Sequence, residues 1–297
     1  MRIGFAGLAH SHPFTDAAVA RAQGVEDIVV YSEEPERLAL FRHEHECHVA
    51  ASLGDLLATR PGVVIVTAKP AEVPGLAEAV LGAGIPCFAN KVLAVDETQL
   101  AALDRVVREH SSRFFTSSVL RFSPAVAELT AALIEPPLVA RATVRHDIAA
   151  FLRPERAWQD DPREGGGTLV SVGLHGLELL DAVAGEGMRT VSALRATRVR
   201  ASASEDTGTV LLRWPDGTLG SVELIGAGTE RYEVAVQTAS GELRRTLTGP
   251  DQLTALGYRD TMRAVLRMAD GDAPAVPWPR SRQVLLAGLE AARLARS

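Results

Sequence analysis

Short apolar runs alternate with amphipathic stretches over the first 118 residues. Arg2-Ile3-Gly4-Phe5-Ala6 is a brief apolar run broken at Gly7. Pro13 suits the first turn of a helix that then continues to Gly24. A strand is expected over 27–31, ending in the polar run Ser32-Glu33-Glu34-Pro35, and a helix follows over 35–44. Residues 52–57 read as a short capped helix. Val63-Val64-Ile65-Val66-Thr67 is apolar without alternation, as in a strand covered on both faces of a parallel sheet. A helix over 74–81 ends at Gly82 and Gly84, and a strand is expected over 85–89. The helix over 96–110 puts Leu100, Leu103, Val106 and Val107 on one face, and a strand over 113–118 closes the pattern. Strands and helices alternating at this spacing imply βαβ units with right-handed crossovers.

Beyond residue 120 the rhythm changes. A helix over 124–134, a strand over 138–146, a loop over 147–167 and a helix over 168–184 precede five strands in succession, at 190–199, 207–214, 218–225, 231–239 and 242–248. Helices over 251–269 and 280–296 end the chain. Trp214-Pro215-Asp216-Gly217 is a hairpin turn, since Pro fixes φ and Gly supplies a positive one. Alternation such as Tyr232, Val234 and Val236 favours a sheet covered on one face only. The expected fold is α/β: a doubly wound parallel Rossmann sheet over 1–120, then an α+β domain over 121–297 with a large, mostly antiparallel open sheet. An open sheet face calls for a partner, so a homodimer or homotetramer formed through the C-terminal sheet is expected.

Composition narrows the function classes. The net charge of −6 argues against a nucleic-acid binder, and no apolar run approaches the ~20 residues that span a bilayer. The N-terminus lacks the apolar core and cleavage site of a secretory signal. Cys47 and Cys87 form no disulfide framework, which fits a cytoplasmic protein. Of 31 basic residues only two, Lys69 and Lys91, are lysine. Arginine stays protonated in proteins, whereas a partly buried lysine can exchange a proton, so both positions are singled out.

Gly7-Leu8-Ala9-His10-Ser11-His12 occupies the strand-to-helix turn where a dinucleotide-binding fingerprint reads G-x-G-x-x-G. Gly7 supplies the tight turn. Ala9 stands where a second glycine would let backbone approach a pyrophosphate, and His12 replaces the third, helix-packing glycine. His10 and His12 are candidates to touch phosphate or substrate, or simply to line the turn. The second strand ends at Ser32 and Glu33, the position that reads the ribose. Glu33 favours NAD, and Arg37 nearby leaves NADP open.

At this point the chain resembles the glucose–fructose oxidoreductase/inositol dehydrogenase (Gfo/Idh/MocA) family. Residues 64–70, VIVTAKP, resemble the strand and turn beside the nicotinamide, which makes Thr67 and Lys69 candidate cofactor contacts. Residues 83–92, AGIPCFANKV, resemble the segment ending in Glu-Lys-Pro. Residues 119–124, VLRFSP, resemble the crossover into the second domain, and 165–175, GGGTLVSVGLH, resemble the Gly-Gly-Gly…Asp-x-Gly-x-His helix. The resemblance implies an NAD- or NADP-dependent oxidoreductase acting on a hydroxyl or carbonyl of a small sugar, polyol or cyclitol, with no metal. It implies that Lys91 and His175 flank the reacting carbon and move its proton, an imidazole having a pKa suited to that task.

The chain departs from those motifs. Asn90 replaces Glu and Val92 replaces Pro, while Ser171 stands where Asp is the third catalytic group; Asn90 is nevertheless placed beside the cofactor. These changes motivate an alternative, a catalytically weak relative that binds a nucleotide or small ligand in regulation. The segment His43-Glu44-His45-Glu46-Cys47-His48 lacks the i, i+4 histidine pair of helical zinc sites and is not assigned a metal. His146, Asp147, Arg153, Arg156 and Trp158 begin the long loop, a candidate substrate lid, and Arg121 is a ligand or an ion-pair partner.

Overall fold

The early apolar runs become a six-stranded sheet, seen in a computed structural model that describes residues 1–296. Its strands are β1 (Arg2–Ala6), β2 (Asp27–Tyr31), β3 (His48–Val49), β4 (Val63–Val66), β5 (Cys87–Ala89) and β6 (Phe114–Phe115). All pair in parallel in the order β3-β2-β1-β4-β5-β6, the doubly wound arrangement of a Rossmann domain. Helices α1 (His12–Ala22), α2 (Pro35–Glu44), α3 (Leu53–Ala58), α4 (Val73–Gly82) and α5 (Glu97–Arg108) connect the strands. Every residue of β4 is fully buried, which is why its run shows no alternation; each such side chain contributes roughly 1.5–3 kcal/mol.

The chain forms two compact units. The first comprises Met1–Ala94, Thr98–Ser117 and Tyr258–Pro279; the second comprises Val95–Glu97, Ser118–Gly257 and Arg280–Ser297. This differs from a single cut at residue 120 mainly in a C-terminal segment that returns to the first unit. Trp278 holds it there: its indole Nε1 donates to Asp104 of α5 at 2.8 Å, and its ring packs edge-on against Phe114.

In the second unit, α6 (Pro124–Ala132) leads into β7 (Val139–Arg145). After the long loop come α7 (Gly167–Ser171) and α8 (Gly173–Ala184), then β8 (Arg189–Ala196), β9 (Thr207–Arg213), β10 (Leu219–Ile225), β11 (Arg231–Gln237), β12 (Glu242–Thr246) and α9 (Gln252–Ala255). The sheet order is β12-β11-β7-β10-β9-β8, with only β7 and β10 parallel. Ala140, Ala142 and Val144 of β7, with Val222 and Leu224 of β10, form the face that packs on α8. Gly176 permits that approach, since a Cβ there would lie 2.4 Å from Val222 Cγ1. The opposite face leaves Leu194, Leu211 and Leu219 exposed.

Three expected elements change. The helix over 168–184 is two pieces meeting at Val172. Residues 167–184 are nevertheless helical and apolar over a length that could cross a membrane, contrary to the sequence expectation; 89% of this stretch is buried in the protein, as a core helix is. The helix over 251–269 breaks at Gly257, where φ is +84° and a Cβ would meet Val119 O at 2.2 Å, so α10 (Tyr258–Ala269) is separate from α9. The last helix, α11, spans Trp278–Leu294.

Candidate active-site residues

In the first unit the strand order reverses between β1 and β4, the point where open α/β sheets bind ligands at the carboxyl ends of their strands. Gly7 follows β1 and Thr67 follows β4. The Thr67 N–H donates to Ala6 O at 2.9 Å, and the Ala9 N–H donates back to Thr67 O at 3.0 Å. Gly7 has φ +82°, and a Cβ would stand 2.7 Å from Thr67 O, so only glycine fits this crossing.

The loop after Gly7 is gripped by Arg37 of α2. Its guanidinium donates to Leu8 O and, at 2.6 Å, to His10 O, and it lies over the Phe14 ring. Ser11 at the N-cap of α1 makes no capping hydrogen bond, and Pro13 opens the helix. The N-terminus of this eleven-residue helix, behind a left-handed glycine, suits a pyrophosphate, with His10 Nδ1 accepting from His12 N at 3.4 Å. The His12 ring packs on His10 at 5.0 Å and on Tyr258 at 5.6 Å, which is how the first unit accommodates it. At the tip of β2, Glu33 Oε1 accepts from Tyr31 OH at 2.7 Å, and Ser32 Oγ accepts from Glu34 N. A carboxylate beside the strand end suits a ribose 2′-hydroxyl. These groups fit a dinucleotide.

Asn90 follows β5 directly, its N–H donating to Val66 O at 2.9 Å, and half-buried Lys91 comes next. The Lys91–Val92 peptide is cis. The Asn90 Nδ2 donates to Asp16 Oδ2 at 2.9 Å and to Thr67 Oγ1 at 3.0 Å. Asp16 is buried on α1, and that burial pushes its carboxyl up to about 7 against the smaller, opposing effect of the Asn90 hydrogen bond. Lys69 is half-buried in the turn after β4, its carbonyl accepting from Glu72 N.

In the second unit His175 lies on α8 and is buried. Its Nδ1 is 2.5 Å from Ser118 Oγ, which also accepts from Leu120 N. With Nδ1–H donating to the serine, Nε2 holds the lone pair that can take a proton. The His175 ring lies 6.0 Å from that of Tyr232, whose hydroxyl meets His146 Nδ1 at 2.9 Å; Glu230 Oε1 is equally close to that nitrogen. The His146 contact holds the Glu230 carboxyl below its ordinary value. Ser171 is buried one helical turn before His175.

The neighbouring expectations resolve as structure. Arg121 is a buried ion-pair partner: it donates to Glu178 at 2.8 Å and to Asp181, which Arg280 also reaches at 2.6 Å. The long loop is fastened at both ends. Arg200 donates twice to Asp147, and Asp160 accepts from Ala203 N, Ser204 N and Ser204 Oγ. His45 packs on Phe41 at 4.8 Å, and among the described residues no three His, Cys, Asp or Glu side chains converge as a metal site.

Residues 133–244 match the family model described as GFO/IDH/MocA C-terminal domain. The chain is 28% identical over 305 residues to myo-inositol dehydrogenase Hyg17 of Streptomyces leeuwenhoekii, covering 93% of this chain and 92% of that one. The second unit is thus similar to the C-terminal domain of Gfo/Idh/MocA proteins. Solved structures share this fold. GenD2 from gentamicin A biosynthesis, in complex with NAD, has a TM-score of 0.85 at 20% identity, over 100% of this chain and 95% of that one. WlbA dehydrogenase of Bordetella pertussis, in complex with NADH and UDP-GlcNAcA, has 0.79 at 20% identity, over 99% and 95%.

Three contributors bear no functional motif in the sequence. Ser118 and Tyr232 bear no motif, and their roles come from neighbours remote in sequence. Asp16 did leave a signal, a lone acid among Phe14, Ala17, Ala18 and Val19. Arg37 was noticed for its charge, but its use inside the loop is a property of the folded chain.

Proposed function

We propose that this protein is an NAD-dependent oxidoreductase that interconverts a hydroxyl and a carbonyl on a small sugar, polyol or cyclitol. The observation that carries the reading is the buried Ser118–His175 hydrogen bond, which holds the imidazole in place through Nδ1. A ligand-binding regulator has no use for such an arrangement, so catalysis is preferred to the regulatory alternative. Bound nicotinamide would accept or supply the hydride. His175 Nε2 takes the hydroxyl proton in the oxidising direction and returns it in the reducing one, while Nδ1–H keeps its bond to Ser118 throughout. Lys91 is a second candidate proton-transfer group, carried by the first unit. Ser171 is uncharged where the motif it resembles has a carboxylate, so it supplies no charge to stabilise the imidazolium. The dehydrogenase name of the Streptomyces relative supports this assignment.

Coenzyme choice follows from the β2 tip. Arg37, the one cation that left NADP open, is committed to Leu8 O and His10 O, and the tip itself carries Glu33 and Glu34. Two carboxylates there repel a 2′-phosphate, which supports NAD. The open sheet face with Leu194, Leu211 and Leu219 supports self-association.

The test is titration of purified protein with NADH, read by fluorescence, followed by turnover across sugars, polyols and cyclitols including myo-inositol. Turnover of one member, lost in His175→Ala with NADH binding kept, is the expected result. Binding without turnover across the panel would return the regulatory reading, and absence of binding would sink both.

A further inference from the structure

Asp16 is the one buried acid beneath the strand ends of the first unit for which the proposed chemistry has no use. Removing a carboxyl from water is costly unless a hydrogen bond replaces the lost hydration, and here the replacement is specific. The Asn90 amide has two protons, and the structure uses both, one on Asp16 Oδ2 and one on Thr67 Oγ1. One side chain thereby ties helix α1 to the ends of β4 and β5, at the residue immediately before Lys91. Thr67 also receives the Ala9 N–H on its carbonyl, so the tie continues into the nucleotide loop.

We infer that Asp16 is a positioning residue for Lys91, acting through the Asn90 side chain. Position 90 carries an amide where the motif it resembles carries a carboxylate. A carboxylate at 90 would face the Asp16 carboxyl, whereas an amide complements it. Asn90 and Asp16 are therefore a matched pair, with the amide after the strand and the acid on the helix. A neutral residue at 90 in this chain is an exchange of partners, and it does not by itself mark lost activity. The kinetic consequence rests on the dehydrogenase reading, but the positional one does not.

With only two lysines in the chain, the test can watch Lys91 directly. Reductive ¹³C-methylation, which keeps the lysine charge, gives two dimethyl-lysine NMR signals beside that of an N-terminal amine, and Lys69→Arg and Lys91→Arg assign them. The full-length protein is compared with Asp16→Asn, Asn90→Asp and the double exchange. The Lys91 signal is expected to move by more than its linewidth in Asp16→Asn and to return in the double exchange. In turnover assays Asp16→Asn should lose about tenfold in kcat, with the exchange recovering to within about threefold. Asp16→Asn is nearly isosteric, so the result does not depend on Asn90→Asp folding. An unmoved Lys91 signal in Asp16→Asn, or a double exchange no closer to the parent than the single variant, would overturn the inference. Absence of turnover in the parent protein would count against the dehydrogenase reading alone, since the NMR comparison needs neither substrate nor coenzyme.

Discussion

Ser118 Oγ lies 2.5 Å from His175 Nδ1, and the pair is buried within the second unit. A hydroxyl in that place decides which imidazole nitrogen is left for chemistry. It can stay bonded whether the ring is neutral or protonated, so proton transfer at Nε2 requires no rearrangement behind it.

Replacing His175 with alanine should therefore lower kcat by about 10²–10⁴-fold, the usual worth of a positioned acid–base group. Ser118→Ala keeps the ring but frees its tautomer, and a loss of about tenfold in kcat with little change in KM is expected. Steady-state kinetics on the two variants checks the ranking. Equal losses would mean that Ser118 does more than orient.

Asp16 should leave a signature in stability against pH. Its folded carboxyl titrates at about 7, above the ordinary 3.8, so between those values the folded protein holds a proton that the unfolded chain has released. Stability from this group consequently falls as pH rises through that window, by up to about 4 kcal/mol. Denaturant unfolding at about pH 5 and about pH 8 should show a steeper decline in the parent than in Asp16→Asn. Parallel slopes would place the Asp16 pKa in the ordinary carboxylate range.

NADH should bind at least about tenfold more tightly than NADPH, given the acidic tip of β2 and the inward engagement of Arg37. Glu33→Arg should narrow the gap by improving NADPH, and Arg37→Ala should weaken both coenzymes by releasing the loop carbonyls. Fluorescence titration of each variant distinguishes these outcomes. A gain in NADH affinity for Arg37→Ala would contradict the loop-holding role.

Gly176 lets α8 rest on the sheet, with no space for a side chain toward Val222 and Val144. Gly176→Val should cost about 1–3 kcal/mol or more by overpacking, read as a lowered melting temperature. An unchanged melt would show that the helix shifts without penalty.

Light scattering at micromolar protein should report a dimer or tetramer, and Leu194→Glu with Leu211→Glu on the open face should shift it towards monomer. A monomeric parent protein would remove the need for a partner on that face.

The sequence was most legible where physics is local. The run over 63–67 could only be a doubly covered strand, and Gly7 had to turn sharply because the next element begins within a few residues. Gly257 was harder to read, since its consequence depends on Val119 and Ser123 arriving from over a hundred residues away. Lys91 and His175 stood out through motif position and the scarcity of lysine. Their supports, Asp16 and Ser118, became visible only when 74 and 57 residues of intervening chain had folded back. Polar partners of that kind carry no periodicity, because a single buried hydrogen bond constrains two positions and nothing between them.

The strand β7 is flanked by β10 and β11, both synthesised well after it; Val139 pairs with Leu219 on one side and Gln237 on the other. On the ribosome this strand therefore emerges with two bare edges, and Leu219, the first residue of the strand that shelters one of them, lies 74 positions after Arg145. Unpaired edges template intermolecular pairing. Premature termination anywhere in that interval would release a fragment prone to aggregate, which makes β7 a natural client for a chaperone during biosynthesis.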